Sequence, residues 1–353
     1  MKKYLFSFGL ASTIFAMSVF CLSSRLTAPE YARGPASVYR YSENIRILNS
    51  IPIMAPIEHP ESDEANTANT LIALFDRFAN HNVNSDGSLN RGTHAKGKCF
   101  NGLVHLFSSD ELKEKFNYDE ALIHRIKQGL FASEGNLPAT LRFANADGLG
   151  RKQADTAADV RGFSFTMQTP AAIKDYTGEH RQDFMFNSTV PFATGGIHEF
   201  LELVKTANIF VYHDLSFLPD VRYLPAIAES LKALQKGNDM GAGTKSFAAQ
   251  EYWDNLPYSH GLDASGLPND IVKFKMAPCD GKGTQHLAST DGLDPDYLQK
   301  DIVERANNGS VCFKLQVQFF DGQKLAAANI EGAKAPWPWP KIFSINLAAY
   351  LAF

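Results

Sequence analysis

The chain is predicted to fold as an α+β domain built around a mostly antiparallel sheet or barrel. Several stretches alternate apolar and polar residues with period two, as half-buried strands do. The segments between them are long and partly helical, without the regular strand–helix alternation that builds parallel sheets. At 353 residues the chain is long enough for one large core or two ordinary ones.

Residues 1–24 read as an export signal. Met1-Lys2-Lys3 supplies a positive start, Tyr4 to Phe20 an apolar run, and Ser23 and Ser24 the small residues a peptidase needs. Cys21 invites a lipid-attachment reading, although Phe20 before it is bulky for such a site. The run could instead stay as a membrane anchor, but it is slightly short for a spanning helix. Residues 25–65 are rich in Pro, Ser and charge and read as an extended arm. The first helix is expected over Thr67 to Asn80, where Leu71, Leu74, Phe75 and Phe78 form one apolar stripe. Asn82 to Leu89, with Asp86-Gly87 inside it, reads as a loop.

Strands are expected at Asn101–Phe107, Arg161–Met167, around Val272–Met276 and at Phe313–Phe319. The last is the clearest, with Phe313, Leu315, Val317 and Phe319 opposing Lys314, Gln316 and Gln318. Helices are expected at Ser109–Phe116, Asp119–Gly129, Ile197–Thr206 and Tyr223–Gln235. There is no internal repeat and no phosphate-binding signature. The net charge of −4 gives no reason to expect nucleic acid. The 26 phenylalanines suit either an aromatic core or a pocket for a flat apolar ligand. Beyond Cys21, Cys99, Cys279 and Cys312 include no CxxC pair, which argues against a zinc site or a redox dithiol. Cys279 and Cys312 could pair and leave Cys99 free, or all three could be buried as small apolar side chains.

Three segments carry chemistry. Arg91-Gly92-Thr93-His94-Ala95-Lys96-Gly97 places a histidine at a strand entrance, where a near-neutral pKa suits a general base. Arg91, and Arg142 in Leu141-Arg142-Phe143, are guanidinium groups beside apolar strands. Such groups capture carboxylates in bidentate fashion, or form surface ion pairs. Ala154 to Phe163 contains Asp155, Asp159 and Arg161, which on their own read as a structural turn with Gly162 relieving the strand. Phe186-Asn187-Ser188-Thr189-Val190-Pro191-Phe192 offers an uncharged amide between aromatics.

In this order the three segments resemble the haem catalase superfamily, most closely its shorter catalase-related peroxidases. The resemblance runs from about Leu71 onward and is dense between Arg91 and Phe192. It implies an antiparallel β-barrel with helical insertions (66–353) and a haem, taken as haem b. It also implies that the chain decomposes hydrogen peroxide or an organic hydroperoxide. By this resemblance His94 is the distal residue that takes a proton from peroxide and returns it to the leaving oxygen. Asn187 hydrogen-bonds the peroxide, Arg91 and Arg142 meet the haem propionates, Phe192 lines the cofactor, and Asp155 and Asp159 are structural acids.

Three departures stand out. Ala144 replaces the serine that orients the distal histidine in the family. Lys98-Cys99-Phe100 alters a glycine-rich stretch. The family's iron ligand is a tyrosine four residues after an arginine, whereas the one late tyrosine, Tyr350, follows Asn346. Either Tyr350 ligates the iron, or Ile342 to Tyr350 is a barrel strand led in by Trp337-Pro338-Trp339-Pro340. Besides peroxide decomposition, two functions stay open: a lyase or isomerase of fatty-acid hydroperoxides, and a barrel that binds haem or lipid without turnover. The oligomeric state, a homo-oligomer included, is left open.

Expressed in an exporting host, the mature protein should begin between about Cys21 and Ala28, the usual reach of such a signal. Intact mass checks this, and soluble cytoplasmic protein still starting at Met1 would contradict it.

Overall fold

The computed structural model describes residues 63–147, 150–170, 173, 179–189, 192–262, 268–309, 311–320 and 345–352. The expected signal segment and nearly all of the arm lie outside them. Among the described residues, nine antiparallel strands form one sheet: β1 (Gly97–Leu106), β2 (Gly135–Asn145), β3 (Arg161–Gln168), β4 (Arg181–Asn187), β5 (Tyr252–Asp254), β6 (Tyr258–Leu262), β7 (Pro268–Pro278), β8 (Cys312–Phe319) and β9 (Ile345–Ala352). Their order is β5-β4-β3-β2-β1-β9-β8-β7-β6, and β5 also pairs with β7. That extra pairing joins the ends of the curl, leaving β6 attached outside it. The helices are α1 (Glu64–His81), α2 (Ser109–Phe116), α3 (Glu120–Ile126), α4 (Ile197–Tyr212), α5 (Leu224–Gly241) and α6 (Tyr297–Asn307).

Period-two alternation sends one face of each strand into the core. Phe143, Phe163 and Phe186 are neighbours across β2, β3 and β4 in register, and all three are fully buried. Their rings continue into a stack, Phe143 lying 4.6 Å from Phe163 and Phe163 lying 5.3 Å from Phe313 on β8. The many phenylalanines are therefore largely core, each removing a large apolar area from water. A second, smaller core forms where α1 supplies Leu71, Leu74 and Phe78 against Leu201, Leu203 and Val204 of α4 and Ile227 of α5.

Local chemistry explains where elements begin and end. Helix α2 spans Ser109–Phe116, as the sequence predicts, because Ser108 and Glu111 form a reciprocal capping box. Asn117 ends it in the left-handed conformation. Cys279 and Cys312 are disulfide-bonded, tying the end of β7 to the start of β8. Cys99 is not a free thiol either, which corrects the pairing that leaves it unbonded.

At the end of β2 and the start of β3 lies a fully buried guanidinium. Arg161 donates to Asn145 Oδ1 at 2.9 Å and to the carbonyl oxygens of Asp155 and Ala157, each at 3.0 Å. Asn145 in turn donates to Asp155 Oδ1 at 2.8 Å. Asp155 Oδ2 accepts the amides of Leu298 and Gln299, in the first turn of α6. Lys96 closes the set on Asp155 Oδ1 at 2.7 Å and Asp296 at 2.8 Å. Replacing Arg161 leaves several buried acceptors unmet. Arg161→Met should therefore lower stability by at least about 3 kcal/mol, read from urea unfolding at constant slope.

Candidate functional site

The sheet has a second face, away from the aromatic core. Across β1 to β4 the register aligns Gly97, Ala144, Gly162 and Asn187 in one row on that face. Three of the four are small, so the row is a shallow shelf ending in an amide. The His94 ring lies on this shelf. A Cβ built on Gly162 would stand 2.7 Å from His94 Nδ1 and 2.8 Å from Cε1, so no larger residue fits beneath the imidazole. Gly162 thus does more than relieve the strand.

The segment carrying His94 is held from both sides. A Cβ on Gly92 would stand 2.4 Å from the carbonyl oxygen of Phe75, so α1 presses its backbone against the loop. On the other side Gly150, with φ +71, lies against Asn82, the Phe78 carbonyl and the Arg91 carbonyl. His94 itself has φ 51, unusual for a residue with a side chain, and is only 5% exposed. Its N–H donates to the Asp147 carbonyl at 3.0 Å, and its carbonyl accepts from the Arg142 guanidinium in a very short contact.

Arg91 stands close enough to Arg142 to help hold its pKa down. Burial, then Arg91, lowers Arg142 to about 9, and burial lowers Arg91. Neither forms an ion pair with a carboxylate among the described residues. A buried guanidinium beside a partly buried one is a costly pairing of like charges, and a carboxylate between them would relieve it. Burial, then Arg142 and Arg91, lowers His94 to about 3, so the imidazole is neutral at physiological pH.

The sequence-predicted residues divide accordingly. His94, Arg91 and Arg142 come together, and Asn187 lies at the end of the same shelf. The Asn187 amide is largely engaged: its Oδ1 accepts from Thr189 N at 2.7 Å and Thr189 Oγ1 at 2.6 Å, and its Nδ2 donates to Asn255 at 2.5 Å. One N–H is left for a ligand. Phe192 is half-buried with its ring 5.8 Å from Phe200 of α4, which lies 6.1 Å from Phe75 behind Gly92. Asp155 and Asp159 are fully buried in the turn between β2 and β3.

Tyr350 lies in β9, paired with His105 of β1 and Lys314 of β8. His105 is eight residues along β1 from Gly97, at the row beneath His94, or about 26 Å at ~3.3 Å per residue. The strand alternative is the one observed, and no axial ligand is assigned among the described residues. Sequence reasoning also missed Asp147, whose carbonyl fixes the His94 amide. Its only signal was its place after the Leu141-Arg142-Phe143 motif.

Comparison with known proteins gives a consistent picture. The chain is 26% identical over 184 residues to a catalase-related peroxidase of Mycolicibacterium paratuberculosis, covering 52% of this chain and 54% of that protein. Catalase A from Saccharomyces cerevisiae superposes with a TM-score of 0.53 at 18% identity, over 86% of this chain and 58% of the enzyme. A fungal catalase gives the same TM-score and identity over 86% and 56%. The chain thus spans little more than half the length of these relatives. No family model matches it.

Because both guanidiniums and burial depress His94, its native state binds fewer protons than the unfolded chain between about pH 6.5 and pH 3. Its contribution to stability is complete above that window and is lost as pH falls through it. The His94 ring resonance should stay that of neutral imidazole from pH 8 down to about pH 4. A midpoint near 6.5 in an NMR titration would contradict the burial and charge described.

Proposed function

We propose that this chain, a catalase-like protein in its motifs and fold, binds haem over the Gly97–Asn187 shelf and decomposes hydrogen peroxide or an organic hydroperoxide. One observation carries the reading: a neutral, buried imidazole set on Gly162 beside the buried Arg142 and the partly buried Arg91, neither of them ion-paired with a carboxylate among the described residues.

The residues present fit haem on this side. Arg91 and Arg142 would hold its two carboxylates, and Gly97 and Gly162 let the Arg142 guanidinium and the His94 imidazole lie close against the sheet beside it. The group supplies, when bound, an iron at which a peroxide O–O bond can be cleaved. This chain's own part is to move the proton. With its Nδ1–Cε1 edge on Gly162, His94 takes the peroxide proton at Nε2 and returns it to the departing oxygen. The remaining Asn187 N–H would donate to the peroxide, and the depressed basicity of His94 would make the return of the proton fast.

Peroxidase turnover with an organic donor fits better than rapid catalase turnover, because Ala144 offers no hydroxyl to the imidazole. The export signal would place this activity in the periplasm or outside the cell. A second reading, binding of haem or lipid without turnover, draws on the pairing of Tyr350 with His105, far along β1 from His94.

Titration of the purified protein with haem should produce a Soret band. His94→Ala should keep that band yet lower peroxide consumption at least about a hundredfold, the low end for a general acid–base. An equal loss from His105→Ala would identify the wrong histidine, and a Soret band without any turnover in the wild type would favour the second reading.

A further inference from the structure

Where the resembled family has a serine hydroxyl for the distal imidazole, this chain has the methyl of Ala144, yet His94 sits in a left-handed conformation that a side-chain-bearing residue does not hold unaided. That conformation is disfavoured for a residue with a Cβ, so the surroundings must impose it. Two main-chain bonds do so, one at each end of the residue. The carbonyl is clamped by Arg142. The N–H is clamped by Asp147, and the bonding does not stop there.

We infer that Asp159 is a positioning residue for His94, acting through the peptide of Asp147. Asp159 Oδ2 accepts the Asp147 N–H at 3.2 Å, and the Asp147 carbonyl accepts the His94 N–H at 3.0 Å. The chain of two bonds starts from a fixed point. Val160 N–H donates to Asn238 Oδ1 of α5 at 3.3 Å, and Arg161 N–H to Ser188 Oγ at 2.9 Å. The Asp159 carbonyl lies so close to Gly241 that a Cβ there would stand 1.8 Å from it, so the end of α5 admits no side chain at 241. Asp159 is therefore locked on both sides of its own peptide, while its carboxyl reaches the loop behind His94.

Asp147 is suited to relay this. Its carboxylate points elsewhere, to Arg151 at 3.2 Å, so its peptide carries the connection. Burial pushes the Asp159 carboxyl up to about 8 despite Arg161 at 4.0 Å. Near neutral pH it is mostly protonated and works as a hydrogen-bonding group more than as a charge. An asparagine amide has the same shape and can offer the same oxygen.

The catalytic consequence rests on the reading of His94 as proton carrier; the bonding chain does not. Amide hydrogen exchange on the full chain without added haem tests the chain directly. Asp159→Ala should speed exchange at His94 at least about tenfold while Phe165, in the middle of β3, changes less than about threefold. Asp159→Asn should restore His94 to within about threefold of wild type. Unchanged exchange at His94 in a folded Asp159→Ala protein would overturn the inference. Should that variant not fold, the wild type decides. His94 and Asp147 amides that share one opening event exchange with protection within about threefold, and a difference beyond about tenfold overturns the relay. In haem-loaded protein, Asp159→Ala should lower kcat for peroxide with KM and the haem titration midpoint unchanged, and Asp159→Asn should recover kcat. A wild type that takes up no haem would remove the proposed function and leave the exchange result standing.

Discussion

The buried Arg161 guanidinium sets the terms for everything around the site. A charge with no solvent contact must collect its partners from the protein, and here they come from several separate segments. Asn145 is the last residue of β2, Asp155 and Ala157 belong to the turn before β3, and Gly241 is the last residue of α5. Asp155 passes the constraint on, through one oxygen to Lys96 and through the other to the first turn of α6. Lys96 lies two residues beyond His94. The segment carrying the imidazole, the strands beneath it and the two helix ends beside it are thus parts of one hydrogen-bonded unit. The aromatic core alone would leave their relative placement loose, because apolar packing is not directional.

This rigidity has an electrostatic use. Arg91 and Arg142 repel one another and lower the basicity of His94, and nothing among the described residues neutralises them. In a softer site the side chains would turn out to water. Here Arg142 is held by the His94 carbonyl, and Gly97 makes room for its guanidinium as it passes β1, where a Cβ would stand 2.6 Å away. On the proposed function, a carboxylate meeting this pair would need little rearrangement. Once it is bound, the charge beside His94 falls and the imidazole regains part of its basicity, so anion binding and proton affinity rise together.

How much of this was legible from the residues depended on whether the signal was local. Helix α2 could be read to its ends because Ser108 and Glu111 state its start and Asn117 its stop. Strands β3 and β8 alternate cleanly and were found within a residue or two. Strand β2 was passed over although Leu137, Ala139, Leu141 and Phe143 alternate, because Pro138 breaks the pattern. Helix α5 runs beyond Gln235 to Gly241 through two glycines that read as breakers. In the fold they are contact points, Gly237 against Thr189 and Val160 and Gly241 against the Asp159 carbonyl. Helix α6 carries too little apolar periodicity to declare itself, and it is held by Asp155 across more than a hundred residues. The site followed the same division. His94, Arg91 and Arg142 stood in recognisable segments and do converge, whereas the Asp147 relay is a peptide-to-peptide connection that leaves no mark on residue identity.

The fate of two predicted residues shows why identity alone does not make a site. Asn187 lies at the end of the row through Gly162, but the turn that follows it takes both lone-pair directions of its carbonyl for Thr189, and Asn255 takes one amide hydrogen. What remains is a single fixed donor, which can polarise a bound oxygen but cannot reorient to follow it through a reaction. Tyr350 has suitable chemistry, but β9 pairs it with His105 at the far end of β1. Between them these two facts shift the burden of any peroxide chemistry onto His94. It is the one group on the shelf with a transferable proton, and its freedom is limited by bonds to its own main chain. Holding such a residue in a strained left-handed conformation is worthwhile only if the ring must meet its ligand from one direction. The glycine beneath it at 162 and the guanidinium across its carbonyl both enforce that direction.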